Sequence, residues 1–426
     1  MSALTDVDPR KTDRFALDGM VPARACAPRS VAALAALHEH CTANGHAIVV
    51  FGGSTLQGIG LPPERYDLAI SMDRLNRVIE HEPRDLTIAV GAGMSVHALA
   101  RLLAKHGQFV PFDAPRALQA TVGGTLATGW AGPRRARYGR IRDFVIGTTA
   151  VLADGTIAAA GGMVVKNVSG YDMSKLYVGS LGTLATLARV NLKTFPIAPC
   201  ARVAVAPLPE RTRARALDHL AHLDVPPTAV LAISGYEGDI DGADGPQGRL
   251  FILIEGSDAI VERATRAMRS ALGAAGVPDT RLIDATANAS FARLLDAHLA
   301  APERPCVVYR CAHLPSDVEV QRDHLEDAAR RHMLRAETIA DAWNGDLTAR
   351  VSSDDDSLAA VDRFIAFESA LRAHAPRAMI VAGSADLRRA LDPWGAPPAS
   401  IVKMRALKER FDPRKTLNPG RYVGRI

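Results

Sequence analysis

The chain has 426 residues, of which 48% are hydrophobic and 23% charged, and its net charge is +5. This length exceeds one ordinary hydrophobic core and predicts at least two domains, while the composition excludes a disordered or fibrous protein. The five cysteines are scattered without a Cys-x-x-Cys pair, so neither a zinc site nor an iron–sulfur cluster is expected. Short apolar runs and a polar N-terminus predict a cytoplasmic protein.

The first 200 residues alternate predicted helices and strands with glycine turns. SVAALAALHEHCTANG (30–45) predicts a helix with Ser30 as its N-cap and Gly45 just after its last turn. HAIVVFGG (46–53) predicts a buried strand that enters a glycine turn, and LTIAVGAG (86–93) predicts another strand. This alternation of elements indicates a first domain in which glycine loops connect strands to helices.

A helix, a hairpin and a second domain follow along the chain. SVHALARLLAKHG (95–107) predicts a helix, and FVIGTTAVLADGTI (144–157) predicts a hairpin that turns at Asp154-Gly155. From about residue 200 to 395 the glycine motifs stop. Alternating strands such as RLFILIEG (249–256) and long Ala/Arg/Glu-rich helices there predict a second domain of α+β type.

Three glycine-rich stretches are the best candidates for a functional site. VVFGGSTLQGIG (49–60) can form a nest of N–H groups for a phosphate, although it lacks the Gly-Lys-Ser/Thr of a Walker loop. The second stretch (120–147) has glycines that let the backbone approach a ligand closely. The third (161–196) adds a polar Ser-Gly-Tyr-Asp turn. Each one alone is more typical of an ordinary tight turn, but together they predict loops that grip one large ligand.

The order of these stretches resembles the FAD-binding domain of the vanillyl-alcohol oxidase / p-cresol methylhydroxylase superfamily. Within it, the sequence most resembles the FAD-binding subunit of bacterial glycolate oxidase complexes. The resemblance is carried by FGGST, VGGTLATG…RYGRIRD, GGMVVKNVSGYDMSKLYVGSLGTLAT and the tail LKERFDPRKTLNPGRY. It implies an α+β protein with a p-cresol methylhydroxylase (PCMH)-type FAD-binding domain of two α/β subdomains at 17–198. An α+β cap domain with an antiparallel sheet is expected at 199–395, and a C-terminal segment, 396–426, returns to the FAD domain.

The resemblance also assigns cofactor contacts position by position. The first loop would hold the pyrophosphate, and the second would line the isoalloxazine and ribityl region. One part of the third stretch would approach the cofactor closely, and a later part would pass its adenine end. In that order the residues are Gly52, Gly53, Ser54 and Thr55; Gly123, Gly124, Thr128, Tyr138 and Gly139; Ser169 and Gly170; and the run from Thr183 to Leu187. Relatives with covalent flavin often carry a histidine at the position of Thr55, and neither that residue nor a cysteine in the second stretch is present, so the FAD is expected to be non-covalent. Tyr171 and Asp172 are expected to brace their turn.

Two departures from the family pattern limit the expected chemistry. Relatives that oxidise 2-hydroxy acids have Gly-Ser-Glu-Gly where this chain has Gly-Ser-Leu-Gly (179–182), which removes a carboxylate. Their metal-binding Gly-Asp-Gly-Asn-x-His segment has its nearest counterpart in NGDLTARV (344–351), which contains no histidine. The catalytic residues therefore remain unknown, and no metal is expected.

The resemblance implies an enzyme that works as a subunit. It would be the FAD-binding subunit of a 2-hydroxy-acid (glycolate-type) oxidase or dehydrogenase complex and would relay electrons from its flavin to partner subunits. The expected partners are a paralogous flavin subunit and an iron–sulfur subunit. No nucleic acid is expected, and any contact with the inner membrane would be peripheral and made through the partners.

Three alternatives remain open. The chain could be a stand-alone FAD-dependent oxidase or dehydrogenase with its own substrate pocket, or a non-catalytic assembly module that retains the fold. The run PRRARYGRIRD (133–143), with its five arginines, suggests a nucleic-acid binder, but no recognition motif accompanies it. A basic surface, or a loop that faces an anionic cofactor, also explains this run.

Overall fold

The computed structural model describes residues 7–164, 170–236, 248–277, 279–284, 294, 296–299, 305–355 and 357–426. These residues divide into two compact units. The first unit contains the described residues of 1–132, 139–197 and 396–426, and the second contains those of 133–138 and 198–395. Within the described parts of the chain, no helix has both the length and the apolar character needed to cross a membrane.

The first unit contains a four-stranded sheet, a five-stranded sheet and a small two-stranded one. The strands are β1 (Val7–Pro9), β2 (Arg24–Pro28), β3 (Ile48–Phe51), β4 (Leu68–Ser71), β5 (Val78–Glu82), β6 (Thr87–Gly91), β7 (Gln108–Phe109), β8 (Val145–Val151), β9 (Ile157–Gly161), β10 (Thr186–Lys193) and β11 (Phe195–Pro196). The four-stranded sheet has the order β1-β2-β4-β3, and its last three strands are parallel. The five-stranded sheet has the order β5-β6-β10-β8-β9 and is antiparallel throughout, while β7 pairs with β11.

Helices lie in both units of the described chain. They are α1 (Val31–Asn44), α2 (Val96–Ala104), α3 (Val122–Thr128), α4 (Arg135–Tyr138), α5 (Met173–Tyr177), α6 (Glu210–Ala221), α7 (Asp258–Ala274), α8 (Val318–Arg331), α9 (Leu358–His374), α10 (Ala385–Ala390) and α11 (Ile401–Phe411). Of these, α1, α2, α3, α5 and α11 belong to the first unit, and the others belong to the second.

The capping signals in the sequence locate the ends of α1. The backbone N–H of Ala33 donates to the hydroxyl of Ser30 over 3.2 Å, and Gly45 ends the helix with a φ of +71°. The predicted hairpin is also confirmed, because β8 and β9 pair antiparallel on either side of Gly155, which has a φ of +86°. The helix predicted at 95–107 begins after its Ser95 cap but stops at Ala104.

The second unit is built on one eight-stranded antiparallel sheet. Its strands are β12 (Cys200–Pro207), β13 (Ala229–Ser234), β14 (Arg249–Gly256), β15 (Arg281–Asp284), β16 (Cys306–Ala312), β17 (Arg335–Asp341), β18 (Asp346–Ser352) and β19 (Met379–Gly383). They lie in the order β15-β12-β14-β13-β17-β18-β16-β19. The main core contains apolar residues of α6, α7, α8 and α9, among them Met268, Leu325, Phe364 and Phe367. This sheet confirms the antiparallel α+β cap domain.

One short segment belongs to a different unit from the one expected. Residues 133–138 fall within the range expected for the FAD domain, yet they pack in the second unit. The physical reason is charge pairing, because Arg134 and Arg135 lie close to the carboxylates of Glu255 and Asp346. We call residues 133–138 the arginine strap.

Candidate functional site

A cavity of about 90 Å³, partly open to solvent, lies within the first unit. It is lined at the ends of β3 and β4, by α3, by the segment 177–187 and by the C-terminal tail. Seven of the predicted site residues line it, namely Gly52, Gly123, Gly124, Thr128, Ala185, Thr186 and Leu187. The structure therefore brings parts of all three glycine-rich stretches together around one cavity.

The first glycine loop packs tightly against the segment that precedes α3. A Cβ on Gly52 would lie 2.1 Å from Oγ1 of Thr121, and one on Gly53 would lie 1.7 Å from the backbone oxygen of Gln119. These two glycines thus permit a contact between loops. Ser54 has a φ of +57°, and the carbonyl of Thr55 accepts a hydrogen bond from Arg116. That Gly53, Ser54 and Thr55 contact pyrophosphate stays a prediction.

The sequence predicts a loop for the second stretch, but Gly123 and Gly124 lie in the short helix α3, and Gly129 caps its C-terminus. The backbone N–H of Gly124 donates to the capping hydroxyl of Thr121 over 3.2 Å. The N–H of Gly123 donates to the carbonyl of Ala92 over 2.8 Å, and the hydroxyl of Thr128 donates to the carbonyl of Gly124 over 3.1 Å. Because these donors already have acceptors, the two glycines contribute close approach to the cavity rather than free N–H groups.

The third stretch meets the cavity through Tyr177 and through residues 180–182 and 185–187. The N–H groups of Gly179 and Leu181 donate to carbonyls of α3 over 2.9 and 2.8 Å, which fixes this segment against the helix. Thr183 lies outside the cavity lining, and its hydroxyl donates to the carbonyl of Ser180. Ser169 lies outside the described residues, and Gly170 is an exposed residue with a φ of +76°.

The expectation that Tyr171 braces its turn by packing is wrong. Its side chain is 93% exposed. Asp172 forms an ion pair with Lys175 over 3.7 Å, and Lys175 Nζ also donates to the carbonyl of Val145 over 2.6 Å. The lysine of α5, which sequence reasoning did not single out, therefore anchors this part of the chain to the start of β8.

Two residues of the C-terminal tail line the cavity and were missed. The Asn418 amide donates to the carbonyl of Gly182 over 3.1 Å. Arg421 is buried, and its Nη2 donates to the carbonyls of Gln57 and Ile59 over 2.6 and 2.9 Å. Both residues stand in the LNPGRY motif, which was matched to the family but not interpreted as part of the site. They hold the third and first stretches in place from one side.

The tail itself is fixed by a buried ion pair. Lys408 Nζ donates to the carboxylate of Asp412 over 2.6 Å and to the carbonyls of Thr183 and Leu417 over 2.8 and 2.9 Å. The same carboxylate accepts from the N–H groups of Thr416 and Leu417. Burial lowers the pKa of Lys408, and the Asp412 charge opposes this shift. The pair is fully hydrogen-bonded, as a buried pair must be to be stable.

The arginine strap, which ends at Tyr138, lies in the second unit. Arg137 Nη1 donates to the backbone carbonyl of Glu255 over 2.7 Å, and the hydroxyl of Tyr138 lies 3.1 Å from its Oε2. Burial and the Glu255 charge raise the pKa of Tyr138 to about 12, so it donates this hydrogen bond. Gly139 follows in the first unit with a φ of +96°. Neither residue lines the cavity, and their contact with FAD stays a prediction.

The segment compared with the metal-binding motif forms a polar network in the second unit. Burial raises the pKa of Asp341 to about 7, although it accepts hydrogen bonds from the backbone and side-chain amides of Asn344. Asp346 is paired with Arg135 and Arg310 over 3.1 and 2.6 Å. Among the described residues, no group of three or more His, Cys, Asp or Glu side chains is arranged to hold a metal ion.

The residues that line the cavity suit two parts of FAD. Apolar side chains such as Val50, Ile59 and Leu187 line it and suit an aromatic ring system. The buried guanidinium of Arg421 adds positive charge at the wall, which favours an anionic group such as a pyrophosphate. These residues fit a ligand that is aromatic in one part and anionic in another.

Comparison with known proteins identifies the cofactor. Residues 22–161 match the family described as FAD binding domain. Glycolate oxidase subunit GlcD of Bacillus subtilis (strain 168) is 26% identical over 95% of this chain and 90% of its own length. Subunit GlcE of Escherichia coli (strain K12) is 26% identical over 89% of this chain and 93% of its own. The D-lactate dehydrogenase of Archaeoglobus fulgidus is 38% identical over 36% of this chain and 35% of its own.

Solved structures show the same fold. p-Cresol methylhydroxylase superposes with a TM-score of 0.72 at 14% identity, over 99% of this chain and 94% of that one. Alkyldihydroxyacetonephosphate synthase superposes with a TM-score of 0.70 at 16% identity, over 94% of this chain and 76% of that one. The resemblance found in the sequence is confirmed. The chain has a PCMH-type fold, carries an FAD-binding domain and is an FAD-dependent oxidoreductase.

Proposed function

We propose that this chain is the FAD-binding subunit of a 2-hydroxy-acid oxidase or dehydrogenase complex of the glycolate type. The observation that supports this most is the cavity of the first unit, which the three glycine-rich stretches and the tail enclose together. The similarity to two proteins named as glycolate oxidase subunits, over about nine-tenths of their lengths, supports the subunit role. FAD would be held without a covalent bond.

The residues of this chain would bind and orient the cofactor. The Gly52 loop, α3 and residues 180–187 would surround it, while Arg421 would place a positive charge near its anionic part. When bound, FAD accepts the two electrons released when a 2-hydroxy acid becomes a 2-oxo acid. The five cysteines are scattered without the Cys-x-x-Cys spacing typical of clusters, so the electrons would pass to an iron–sulfur partner.

The substrate would be held mainly by a paralogous flavin subunit. Leu181 lines the cavity where hydroxy-acid-oxidising relatives have a glutamate, so this wall offers no carboxylate at that position. In the second unit, Asp341, Asn344, Asp346 and Arg135 hydrogen-bond and pair with each other. Both observations favour electron transfer over independent substrate oxidation.

Purification of the chain alone and with its partner proteins tests this proposal. We expect a yellow chain that releases intact FAD on denaturation, and whose flavin glycolate and lactate bleach slowly unless the partners are present. Rapid bleaching of the isolated chain by either acid would support a stand-alone oxidase instead. A colourless chain without releasable FAD would support the assembly module.

A further inference from the structure

A buried histidine connects three elements behind the cavity wall. His38 lies on α1 with no exposed surface. Its Nδ1 is 2.9 Å from the carbonyl oxygen of Leu152, in the turn between β8 and β9. Its Nε2 is 3.2 Å from the hydroxyl oxygen of Thr186, the first residue of β10. The family resemblance gave no role to His38, and it placed Thr186 only within the run 183–187 expected to pass the adenine end.

These two contacts determine where the protons lie. A carbonyl oxygen can only accept, so the proton of the ring must be on Nδ1. Burial lowers the pKa of His38 to about 4, against the smaller effects of the Leu152 carbonyl and the facing carboxylates of Asp412 and Asp154. The ring is therefore neutral, and Nε2 carries no proton. Nε2 must accept, and the hydroxyl of Thr186 must donate to it.

The direction of this hydrogen bond matters because Thr186 lines the cavity. A hydroxyl has one hydrogen and two lone pairs, and His38 uses the hydrogen. We propose that His38 is a positioning residue that directs the hydroxyl hydrogen of Thr186 away from the cavity. The oxygen then serves as a hydrogen-bond acceptor for an N–H or O–H group of bound FAD. This inference rests on the proposal that FAD occupies this cavity.

The inference has a consequence for the orientation of the ligand. FAD carries N–H groups on its two ring systems and O–H groups on its ribityl and ribose parts, whereas its phosphate oxygens carry no proton at neutral pH. A fixed acceptor favours N–H and O–H groups and repels phosphate oxygens. Thr186 therefore selects a ring or sugar part of the dinucleotide at this point of the wall.

Substitution of Thr186 tests the acceptor. The chain stripped of FAD is titrated with FAD, and the dissociation constant is measured from the change in flavin fluorescence. We expect Thr186→Val to raise the constant about tenfold, which corresponds to one lost hydrogen bond, and Thr186→Ser to leave it nearly unchanged. Thr148→Val is the matched control, because Thr148 is a buried β8 residue whose hydroxyl bonds Ser174 and which does not line the cavity.

A double-mutant cycle tests the role of His38. In the His38→Leu background the hydroxyl can rotate and donate elsewhere, so we expect Thr186→Val to change FAD affinity less than threefold. Thermal unfolding of each FAD-free variant separates loss of stability from loss of binding. If His38→Leu does not fold, ¹⁵N spectra of the unsubstituted chain must still show His38 protonated at Nδ1.

Three results would overturn the inference while the proposed function stands. They are an unchanged affinity in Thr186→Val, an equal effect of that substitution in both backgrounds, and a proton on Nε2 of His38. If the Thr186→Val chain does not fold, Thr186→Ala replaces it in the same assay. A chain that binds no FAD at all would instead contradict the proposed function itself.

Discussion

The first unit fixes its cavity walls with backbone hydrogen bonds, whereas the second unit fixes the arginine strap with charged side chains. In the first, the N–H groups of Gly123, Gly179 and Leu181 all donate to carbonyls of neighbouring segments. In the second, Arg134 and Arg135 lie beside the carboxylates of Glu255 and Asp346. The comparison teaches that neither a glycine-rich stretch nor an arginine-rich one is by itself evidence of a ligand contact.

The same comparison bears on the nucleic-acid alternative. The arginine run 133–143 was the only feature that suggested it. The first three arginines of that run bond to groups of the second unit, namely the carboxylates of Glu255 and Asp346 and the carbonyl of Glu255. This leaves little positive charge from the strap for a phosphate backbone.

The largest expected effect comes from removing the buried ion pair that fixes the C-terminal tail in the first unit. Lys408→Met leaves the buried Asp412 carboxylate without its cation, and we expect the free energy of unfolding to fall by about 3–5 kcal/mol. Lys403→Met on the exposed side of the same helix is the control and should change it by less than about 0.5 kcal/mol. Urea unfolding measures both. Equal stabilities for the two variants would show that the buried pair does not hold the tail.

Acid should affect the two units in opposite directions. The folded-state pKa of His38, about 4, lies below its unfolded value of 6.5, so the unfolded chain takes up this proton first as the pH falls. The first unit should lose roughly 3 kcal/mol between pH 6.5 and 4. The folded-state pKa of Asp341, about 7, lies above its unfolded value of 3.8, so the second unit should gain roughly 4 kcal/mol between pH 7 and 3.8.

Native-state hydrogen exchange resolves the two units separately. Peptides from β10 and β17 are compared at pH 7.5 and 5.5 after correction for the intrinsic exchange rate. We expect protection to fall in β10 and to rise in β17. His38→Leu should remove the first change and Asp341→Asn the second. Parallel changes in both units would contradict the opposed titrations.

Glycine-to-alanine substitutions should change the free energy of unfolding in opposite directions in the two units. In Gly53→Ala the added Cβ would lie 1.7 Å from the backbone oxygen of Gln119, so the loops must move apart. We expect a loss of about 1–3 kcal/mol in the free energy of unfolding, together with weaker FAD binding. Gly273→Ala in α7 of the second unit meets no atom within 4 Å and should stabilise by up to about 1 kcal/mol.

Fluorescence titration with FAD and urea unfolding measure these effects. If Gly53→Ala binds FAD as tightly as the unsubstituted chain, the contact with Gln119 does not set the shape of the cavity.

The smallest expected effect concerns Tyr138. Tyr138→Phe removes the hydrogen bond to Glu255, and we expect a loss of about 1 kcal/mol in the free energy of unfolding. Because Tyr138 belongs to the second unit and does not line the cavity, FAD affinity should stay the same. The same titration checks this. A large loss of affinity would instead support the cofactor contact predicted from the family resemblance.

Much of the fold follows from local signals in the sequence. The Ser30 and Gly45 caps, the Asp154-Gly155 turn and the apolar strand 249–256 each depend on a few neighbouring residues, and all are confirmed. The cofactor could be predicted because the three stretches occur in a specific order.

The remaining parts of the site depend on contacts that are distant in sequence. Gly53 meets Gln119, and Arg421 meets Gln57, so no local pattern reveals either pair. The assignment of 133–138 to the second unit also depends on partners more than 100 residues away. A glycine that avoids a clash and one that touches a ligand look the same in a sequence.

The tail that completes the cavity also sets an order of events during synthesis. Asn418 and Arg421 line the cavity with β3 and α3, yet residues 198–395 are translated in between. At about 5–20 residues per second, the ribosome takes roughly 10–40 s to make that stretch. Throughout that interval the nascent first unit has an open side where the tail will bind. The wall that Asn418 and Arg421 contribute is therefore added only after residues 396–426 have left the ribosome.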